Sequence, residues 1–371
     1  MEKYFRKVKI TNYYKQKRKK REFYLSIYND KLPISIKSLI IIFLSISFIY
    51  IQLIRKSFNK IHVAVNMDNR YIYCCIVFLT SLLKNRAEST FYIIHILTNK
   101  TSLESMNKIN NIIEKFGNNS SKVIYYNLGD DFKGASIKGF ALSVYYRIAA
   151  PSVLSNIDKL IYSDIDIINL KDLSEMYNIK FQKDMYICAV LDEQKYKKEL
   201  DKFGINLDKY INAGILLMDL KTMRENKVEK KLRDFIATHT LDLCDQAAIN
   251  AICHDNIQII SYKYNLYPIN SYNNLVKINN EQNPKYRFNE SELYPAYHEP
   301  TFVHFYGDAK PWYKPNYFPY IIYWWYYAKL SGFYNEILNY YKTDINYVEN
   351  LLKKIPGDGG LLKGKYKKII D

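Results

Sequence analysis

The sequence predicts an α/β protein built on one open, mostly parallel sheet with helices on both faces. Two observations carry this. From residue 61 onward, short β-branched runs alternate with runs of helical period, the pattern of a sheet wound by crossover helices. Acidic residues then fall just after several of the strand-like runs, where open α/β sheets bind ligands. The chain has 371 residues, 48% of them apolar, enough for one large domain or two ordinary ones with a sizeable core.

The elements follow in order. Ile61 to Val65 is a short β-branched run, and Tyr71 to Lys84 has helical spacing. Phe91 to Leu97 reads as a second strand. Ser102 to Phe116 reads as a helix stopped by Gly117. Val123 to Asn127 is a third strand. Ala141 to Leu154 is a helix interrupted by Pro151, and Lys159 to Tyr162 is the strand that leads to Asp164. Strands over Met185 to Val190 and Gly214 to Leu220 precede a polar helix, Lys221 to Ile236. Asp245 to Cys253 is another helix, and Ile257 to Ile260 another strand. Residues 266–300, rich in Asn, Tyr and Pro, read as irregular. Tyr317 to Tyr327 is crowded with aromatics, and the chain ends basic at Lys363, Lys365, Lys367 and Lys368. Aromatics followed by Lys suit either a membrane-surface helix or a helix packed on the core.

Charge is uneven. Residues 1–60 hold fifteen Lys/Arg and three Asp/Glu, a surplus of +12 out of the chain's +17, so the other 311 residues carry only +5. No basic patch runs through the body, which argues against a nucleic-acid partner. The basic tract Lys15 to Arg21 reads as a tail. It precedes an apolar run of 17 residues, Ser38 to Ile54, at the short edge for a membrane span. We expect residues 1–37 to be a basic cytoplasmic tail and 38–54 a membrane anchor. The positive-inside rule then puts the amino terminus in the cytoplasm. The body would face a Golgi lumen in a eukaryote, or be associated with the inner membrane in a bacterium. The five cysteines (Cys74, Cys75, Cys188, Cys244, Cys253) have no zinc-type spacing and an odd count, so they read as buried small hydrophobes. The 37 tyrosines read as compositional.

Three stretches carry chemistry. Tyr162-Ser163-Asp164-Ile165-Asp166 ends a strand in two carboxylates spaced i, i+2, which point the same way on an extended backbone and suit a divalent cation. Tyr210-Ile211-Asn212-Ala213-Gly214 is the second. The third runs from His304 to Trp312 and offers an imidazole, Gly307 for close backbone approach, and Lys310. Each has an ordinary explanation alone: a turn, a core histidine, a packed Lys-Pro-Trp. Together they suit transfer of a sugar from a nucleotide diphosphate donor.

In these motifs and their order the chain resembles glycosyltransferases of family 8. That family includes bacterial lipopolysaccharide α-galactosyl- and α-glucosyltransferases and glycogenin. The match runs from Ile61 to Trp312. It implies a GT-A type nucleotide-diphospho-sugar transferase fold over residues 61–315, followed by an aromatic and basic region, 316–371. It also implies a retaining hexosyltransferase that takes UDP-glucose or UDP-galactose to a glycan or glycolipid acceptor. Asp164, Asp166 and His304 would hold Mn²⁺, with Mg²⁺ the other candidate; an imidazole beside carboxylates favours Mn²⁺. Gly307 and Lys310 would hold the diphosphate, and Asp68 the uracil. Arg147 would reach the donor sugar and diphosphate. Asn212, Asp192, Asp245 and Gln246 would line the sugar pocket. One departure stands out: the family's D-D-N-Y reads Asp68-Asn69-Arg70-Tyr71 here, which leaves the ribose contacts unassigned.

Retention has two routes. A carboxylate attacks from the far face, with Asp192, Asp245 or Gln246 nearest to hand, or the acceptor enters on the face the diphosphate leaves. Two other classes compete. A catalytically inert scaffold would have no reason to keep Asp164, Asp166, His304 and Lys310. A nucleotidyltransferase would show a Gly-rich loop after the first strand, and Val65-Asn66-Met67-Asp68 has none.

Overall fold

The computed structural model describes residues 59–353, apart from 118, 138–140, 193–199, 206–208, 269–289, 308–309 and 314–319, together with residues 42, 43 and 45. Among these, nine strands form two sheets. The first seven positions in the large sheet come from β1 (Asn59–Asn66), β2 (Thr90–Thr98), β3 (Ser121–Asn127), β4 (Lys159–Ser163), β6 (Ile187–Leu191), β7 (Ile211–Asp219) and β8 (Ile257–Ile259), in the order β3-β2-β1-β4-β7-β6-β8. All run parallel except β7. The remaining strands, β5 (Ile167–Asn169) and β9 (Phe302–His304), form a small antiparallel pair beside it.

Both faces of the sheet are covered, which is why its strands read as continuous apolar runs. The pleat sends alternate residues into two cores. Ile61, Val63 and Val65 of β1 enter one, while Ala64 enters the other. On β7, Ile215 and Leu217 go one way, and Leu216 and Met218 the other. On the first face lie α1 (Ile72–Lys84) and α2 (Leu103–Gly117). Every residue of α1 from Ile72 to Leu83 is buried, as an all-round apolar helix requires. By contrast α2 buries a single stripe through Ser105, Ile109 and Ile112.

On the second face the expected helix over 141–154 is a 3-10 helix, Leu142–Ala149, followed by the short α3 (Ala150–Val153). Pro151 stands at its start rather than interrupting it, the position where a missing N–H costs nothing. After α4 (Ser174–Tyr177), the polar helix expected from Lys221 to Ile236 is two helices, α5 (Leu220–Glu225) and α6 (Val228–Thr238). Lys227 separates them with a left-handed backbone, φ +54°. Asp219 caps α5 by accepting the Thr222 N–H at 2.9 Å, which fixes where it begins. The helix α7 (Cys244–Cys253) lies where the spacing predicts it. Within 266–300, expected to be irregular, α8 (Glu290–His298) is helical in spite of Pro295. All five cysteines are buried and none is in a disulfide.

The aromatic stretch resolves in favour of the core. Its described part forms α9 (Ile321–Ser331), ended by Gly332 at φ +90°, a conformation glycine alone adopts freely. Trp324 and Trp325 are 0% exposed. The helix packs on α1, and α10 (Tyr334–Tyr341) and α11 (Ile345–Leu352) close over it. Trp325 Nε1 donates to the Pro311 carbonyl at 3.1 Å, so the helix also ties down the Lys-Pro-Trp turn.

The chain divides into two units, Met1–Phe58 and Asn59–Asp371. Of the first, only Ile42, Phe43 and Ser45 are described, with helical backbone. The expected membrane anchor is corrected: among the described residues no helix is long and apolar enough to cross a membrane. Length supplies a physical reason. The 17 residues of Ser38 to Ile54 would rise only about 25 Å as a helix, short of the about 30 Å hydrocarbon core. The rest of that run and the tract Lys15 to Arg21 lie outside the described residues. The single-pass topology, the membrane partner and the lumenal or inner-membrane placement fall with the anchor.

A core role for α9 has a direct test. Trp325→Ala should lower unfolding free energy by about 3–5 kcal/mol, the cost of emptying a packed aromatic site, read as a drop in urea midpoint. An unchanged midpoint would place this helix outside the core.

Candidate active site

The chemistry-bearing residues meet beyond the carboxyl end of β4. The chain bends there through Asp164, Ile165 and Asp166, and two backbone hydrogen bonds hold the bend. Asp164 N–H donates to the Gly214 carbonyl on β7 at 2.8 Å, and Phe305 N–H donates to the Asp166 carbonyl at 2.9 Å. The β5–β9 pair sets Ile167 opposite His304. That register carries the imidazole to the carboxylates: His304 Nε2 lies 3.2 Å from Asp166 Oδ1 and 3.9 Å from Asp164 Oδ2. One ligand atom from each of the three lies within 4.8 Å of the others. His304 is buried while both carboxylates keep a quarter or so of their surface open. The cluster therefore has a closed protein side and an open cleft side.

Two cations brace it. Lys310 Nζ pairs with Asp166 Oδ2 and donates to the Phe305 carbonyl at 2.7 Å. Burial alone would raise the Asp166 carboxyl; the Lys310 ammonium outweighs it and holds the group well below the usual carboxylate range. Arg147 is buried. It reaches Asp164 Oδ1 through Nη2 at 2.7 Å and the Ala213 carbonyl through Nη1. Its guanidinium lies 4.2 Å over the Tyr162 ring, and buried guanidinium charge favours such a stacked, paired setting.

Deeper in the cleft lie four polar side chains. Asp192 Oδ2 accepts from Gln246 Nε2 at 2.9 Å and Asn212 Nδ2 at 3.4 Å. Gln246 Oε1 accepts the Ala213 N–H at 3.0 Å. Arg147 Nε gives its one proton to the Val144 carbonyl at 3.2 Å. Asp245 Oδ2, 2.8 Å from that nitrogen, gains charge from it but no hydrogen bond. Burial accordingly pushes the Asp245 carboxyl up to about 6, with Arg147 opposing and Asp164 adding to the rise.

At the far end Asp68 caps the 3-10 turn Asn69–Tyr71. Arg70 clamps it with Nη2 on Oδ2 at 2.9 Å and Nε on Oδ1 at 3.3 Å. One of the two residues at which the expected D-D-N-Y pattern changes thus occupies the acid two positions before it. Asn66 donates to the Ser143 carbonyl at 2.7 Å, and its buried Oδ1 has no partner among the described residues.

All the residues predicted from the sequence line one cleft of about 480 Å³: Asp68, Arg147, Asp164, Asp166, Asp192, Asn212, Asp245, Gln246, His304, Gly307 and Lys310. Gly307 has φ +66°, so backbone conformation already explains a glycine there. Asp308 and Ala309 of the same motif lie outside the described residues. Sequence reasoning missed Asn66, Tyr306 and Asn265. Tyr306 had a signal, because it follows His304 at i+2 and so shares its side of an extended chain; its hydroxyl lies 3.4 Å from Asp192 Oδ1. Asn265 had none, since it sits in a stretch without periodicity.

Gly214 has a packing role that its motif does not announce. A Cβ there would come within 2.6 Å of His304 Nδ1. Gly214→Ala should therefore displace the imidazole and cost about 1–3 kcal/mol of stability, the usual price of overpacking. The check is a urea midpoint together with the His304 ring NMR signals; unmoved signals and an unchanged midpoint would refute the contact.

Comparison with known proteins agrees with this geometry. The profile of glycosyl transferase family 8 matches residues 62–315. General stress protein A of Bacillus subtilis is 27% identical over 195 residues, which cover 49% of this chain and 65% of that protein; the chain spans just under two thirds of its length. A lipopolysaccharide 1,2-glucosyltransferase of Escherichia coli is 23% identical over 270 residues, 70% of this chain and 74% of its own. The structure of an active-site mutant of LgtC superimposes with a TM-score of 0.61 at 19% identity, covering 73% of this chain and 96% of LgtC. The shared fold is GT-A, with the mostly parallel sheet described above. With the profile matching about two thirds of its residues, the chain belongs to glycosyl transferase family 8.

Proposed function

We propose that this protein is a metal-dependent, retaining hexosyltransferase that moves glucose or galactose from a UDP-sugar to a glycan or glycolipid acceptor. The observation that carries the reading is the convergence of Asp164, Asp166 and His304 beside Lys310 on the open side of one cleft. The donor set fits a divalent ion: two hard carboxylates and one imidazole within 4.8 Å suit Mn²⁺ better than Mg²⁺. When bound, such an ion supplies Lewis-acid neutralisation of the diphosphate leaving group.

The chain's own residues do the rest. Lys310 is held by Asp166 and the Phe305 carbonyl, so its charge stands ready at the leaving-group end without reorganising. Arg147 pairs with both Asp164 and Asp245. Asp245 Oδ2 has no hydrogen-bond donor among the described residues and is suited to accept a hydrogen bond from a hydroxyl of the donor sugar. Asp192 is engaged by Gln246 and Asn212, and Gln246 is an uncharged amide. A carboxylate already accepting two hydrogen bonds is a weakened nucleophile, which favours entry of the acceptor on the face the diphosphate leaves. Asp68 and Asn66 offer acceptors at the nucleoside end.

The test is UDP release by the full chain with UDP-glucose, UDP-galactose and UDP-galacturonate, with and without Mn²⁺. One hexose donor should turn over, with an α-linked product by NMR, and chelation should abolish it. Asp166→Ala should lower turnover by roughly 10³-fold or more. Turnover that survives chelation would refute the metal dependence, and donor binding without turnover of any sugar would refute the enzyme. Lys310→Ala should lower kcat by about 10²–10³-fold with a smaller change in KM, because leaving-group charge is greatest in the transition state. A raised KM at unchanged kcat would limit Lys310 to binding.

A further inference from the structure

We propose that Asn265 is a positioning residue: with Asn212 it fixes His304 in the tautomer protonated at Nδ1, so that the Nε2 lone pair faces Asp164 and Asp166. The use of that lone pair rests on the metal reading above, while the tautomer itself does not.

Hydrogen positions here follow from the polarity of the network. The backbone N–H of Gly214 lies 2.9 Å from Asn212. A backbone N–H can only donate, so the Asn212 atom facing it is Oδ1. The other side of the same amide faces the Asp192 carboxylate at 3.4 Å, which accepts when ionised. Both neighbours demand the same orientation, and the Asn212 amide cannot flip without breaking two contacts.

Asn265 inherits its orientation. One of its amide atoms lies 2.8 Å from Asn212 Oδ1, an atom that accepts only, so that atom is Nδ2. Oδ1 of Asn265 must then turn to His304 Nδ1, 3.0 Å away. An amide oxygen needs a donor, and the neutral imidazole has one N–H to give. The proton therefore sits on Nδ1. Nε2, with its lone pair, is the atom 3.2 Å from Asp166 Oδ1 and 3.9 Å from Asp164 Oδ2.

This is the reverse of what a structural histidine beside two carboxylates would choose. Left to itself, the ring would point an N–H at the acids. The relay instead makes three electron-pair donors converge, an arrangement satisfied by a metal cation or a proton among them. Nδ1–H stays on Asn265 whether Nε2 meets a proton or a metal. Metal-ligating histidines are oriented in this way by a partner on the other ring nitrogen.

The packing leaves no slack. Asn265, His304 and Asn212 are 3%, 2% and 7% exposed, so water does not replace a lost partner. The bare α-carbon of Gly214 lies against the ring, and Tyr306 meets it edge-on at 5.0 Å. Asn265 also sits on the right piece of backbone. The next residue, Leu266, accepts the His304 N–H at 2.8 Å, so the histidine and its positioning amide share one strand contact.

The test uses the full chain labelled with ¹⁵N-histidine, freed of metal and held at a pH where the ring signals no longer change. The chain has six histidines, and His304→Ala assigns the signal. Wild type should show Nε2 unprotonated and Nδ1 protonated. Asn265→Asp gives up the donor to Asn212 Oδ1 but keeps an acceptor for Nδ1–H and should keep that tautomer. Asn265→Leu removes it and should shift His304 towards the Nε2–H form. Mn²⁺ binding followed by EPR, with UDP present, should weaken about 10–100-fold in Asn265→Leu and by much less in Asn265→Asp. Wild-type His304 in the Nε2–H form overturns the proposal. So does an unchanged tautomer in folded Asn265→Leu; if that variant fails to fold, wild type and Asn265→Asp decide. The expected tautomer in a chain that binds no Mn²⁺ supports the relay and overturns the metal reading instead.

Discussion

Two backbone hydrogen bonds hold the centre of this protein together. The Asp164 N–H is bound by Gly214 of β7, and the Asp166 carbonyl by Phe305, just past β9. They force a strand end, a central antiparallel strand and a distant two-stranded pair to share one point. Backbone groups that must pair when withdrawn from water thus bring an imidazole to two carboxylates. Everything in the cleft is arranged around that point. Gly214 serves twice, through its carbonyl and through the missing side chain that leaves room for His304.

Charge balance is the second constraint. Asp164, Asp166 and Asp245 crowd a partly buried space, and Arg147 and Lys310 answer them. Removing one cation would leave a buried carboxylate uncompensated, which costs far more than the pair contributes. The compensation is unequal, however. Asp166 is held well below the usual range, while Asp245 is pushed up to about 6. The difference is geometric: Lys310 hydrogen-bonds Asp166, whereas the Arg147 proton nearest Asp245 goes to a carbonyl. The cleft therefore has a firmly anionic end at the bend and a softer acid deeper in.

The carboxyl-terminal helices belong to the same structure. Trp325 of α9 is buried and holds the Pro311 carbonyl, one residue from Lys310. The aromatic abundance of this stretch thus supports the site from behind. Along the same cleft Arg70 clamps Asp68.

The sequence by itself determined the seven strands of the large sheet, most helices and the candidate residues that line the cleft. Its strongest signals are local: a short β-branched run on β1, a fully apolar α1, and motifs that end strands. Elements of three residues, such as β5 and β9, are too short for any period to show, and Lys227 divides a helix without a breaker residue to announce it. For the apolar run Ser38 to Ile54, hydropathy suggested a span where length was short. Only the tertiary structure decided which groups pair. Lys310 meets Asp166 across 144 residues and Arg147 meets Ala213 across 66. The orientation of His304 passes through Asn265, 39 positions away in a stretch with no pattern at all. Such contacts depend on where separate elements dock. A local pattern specifies that an element forms and which face it buries; register, tautomer and ion pairing arise only when the faces meet.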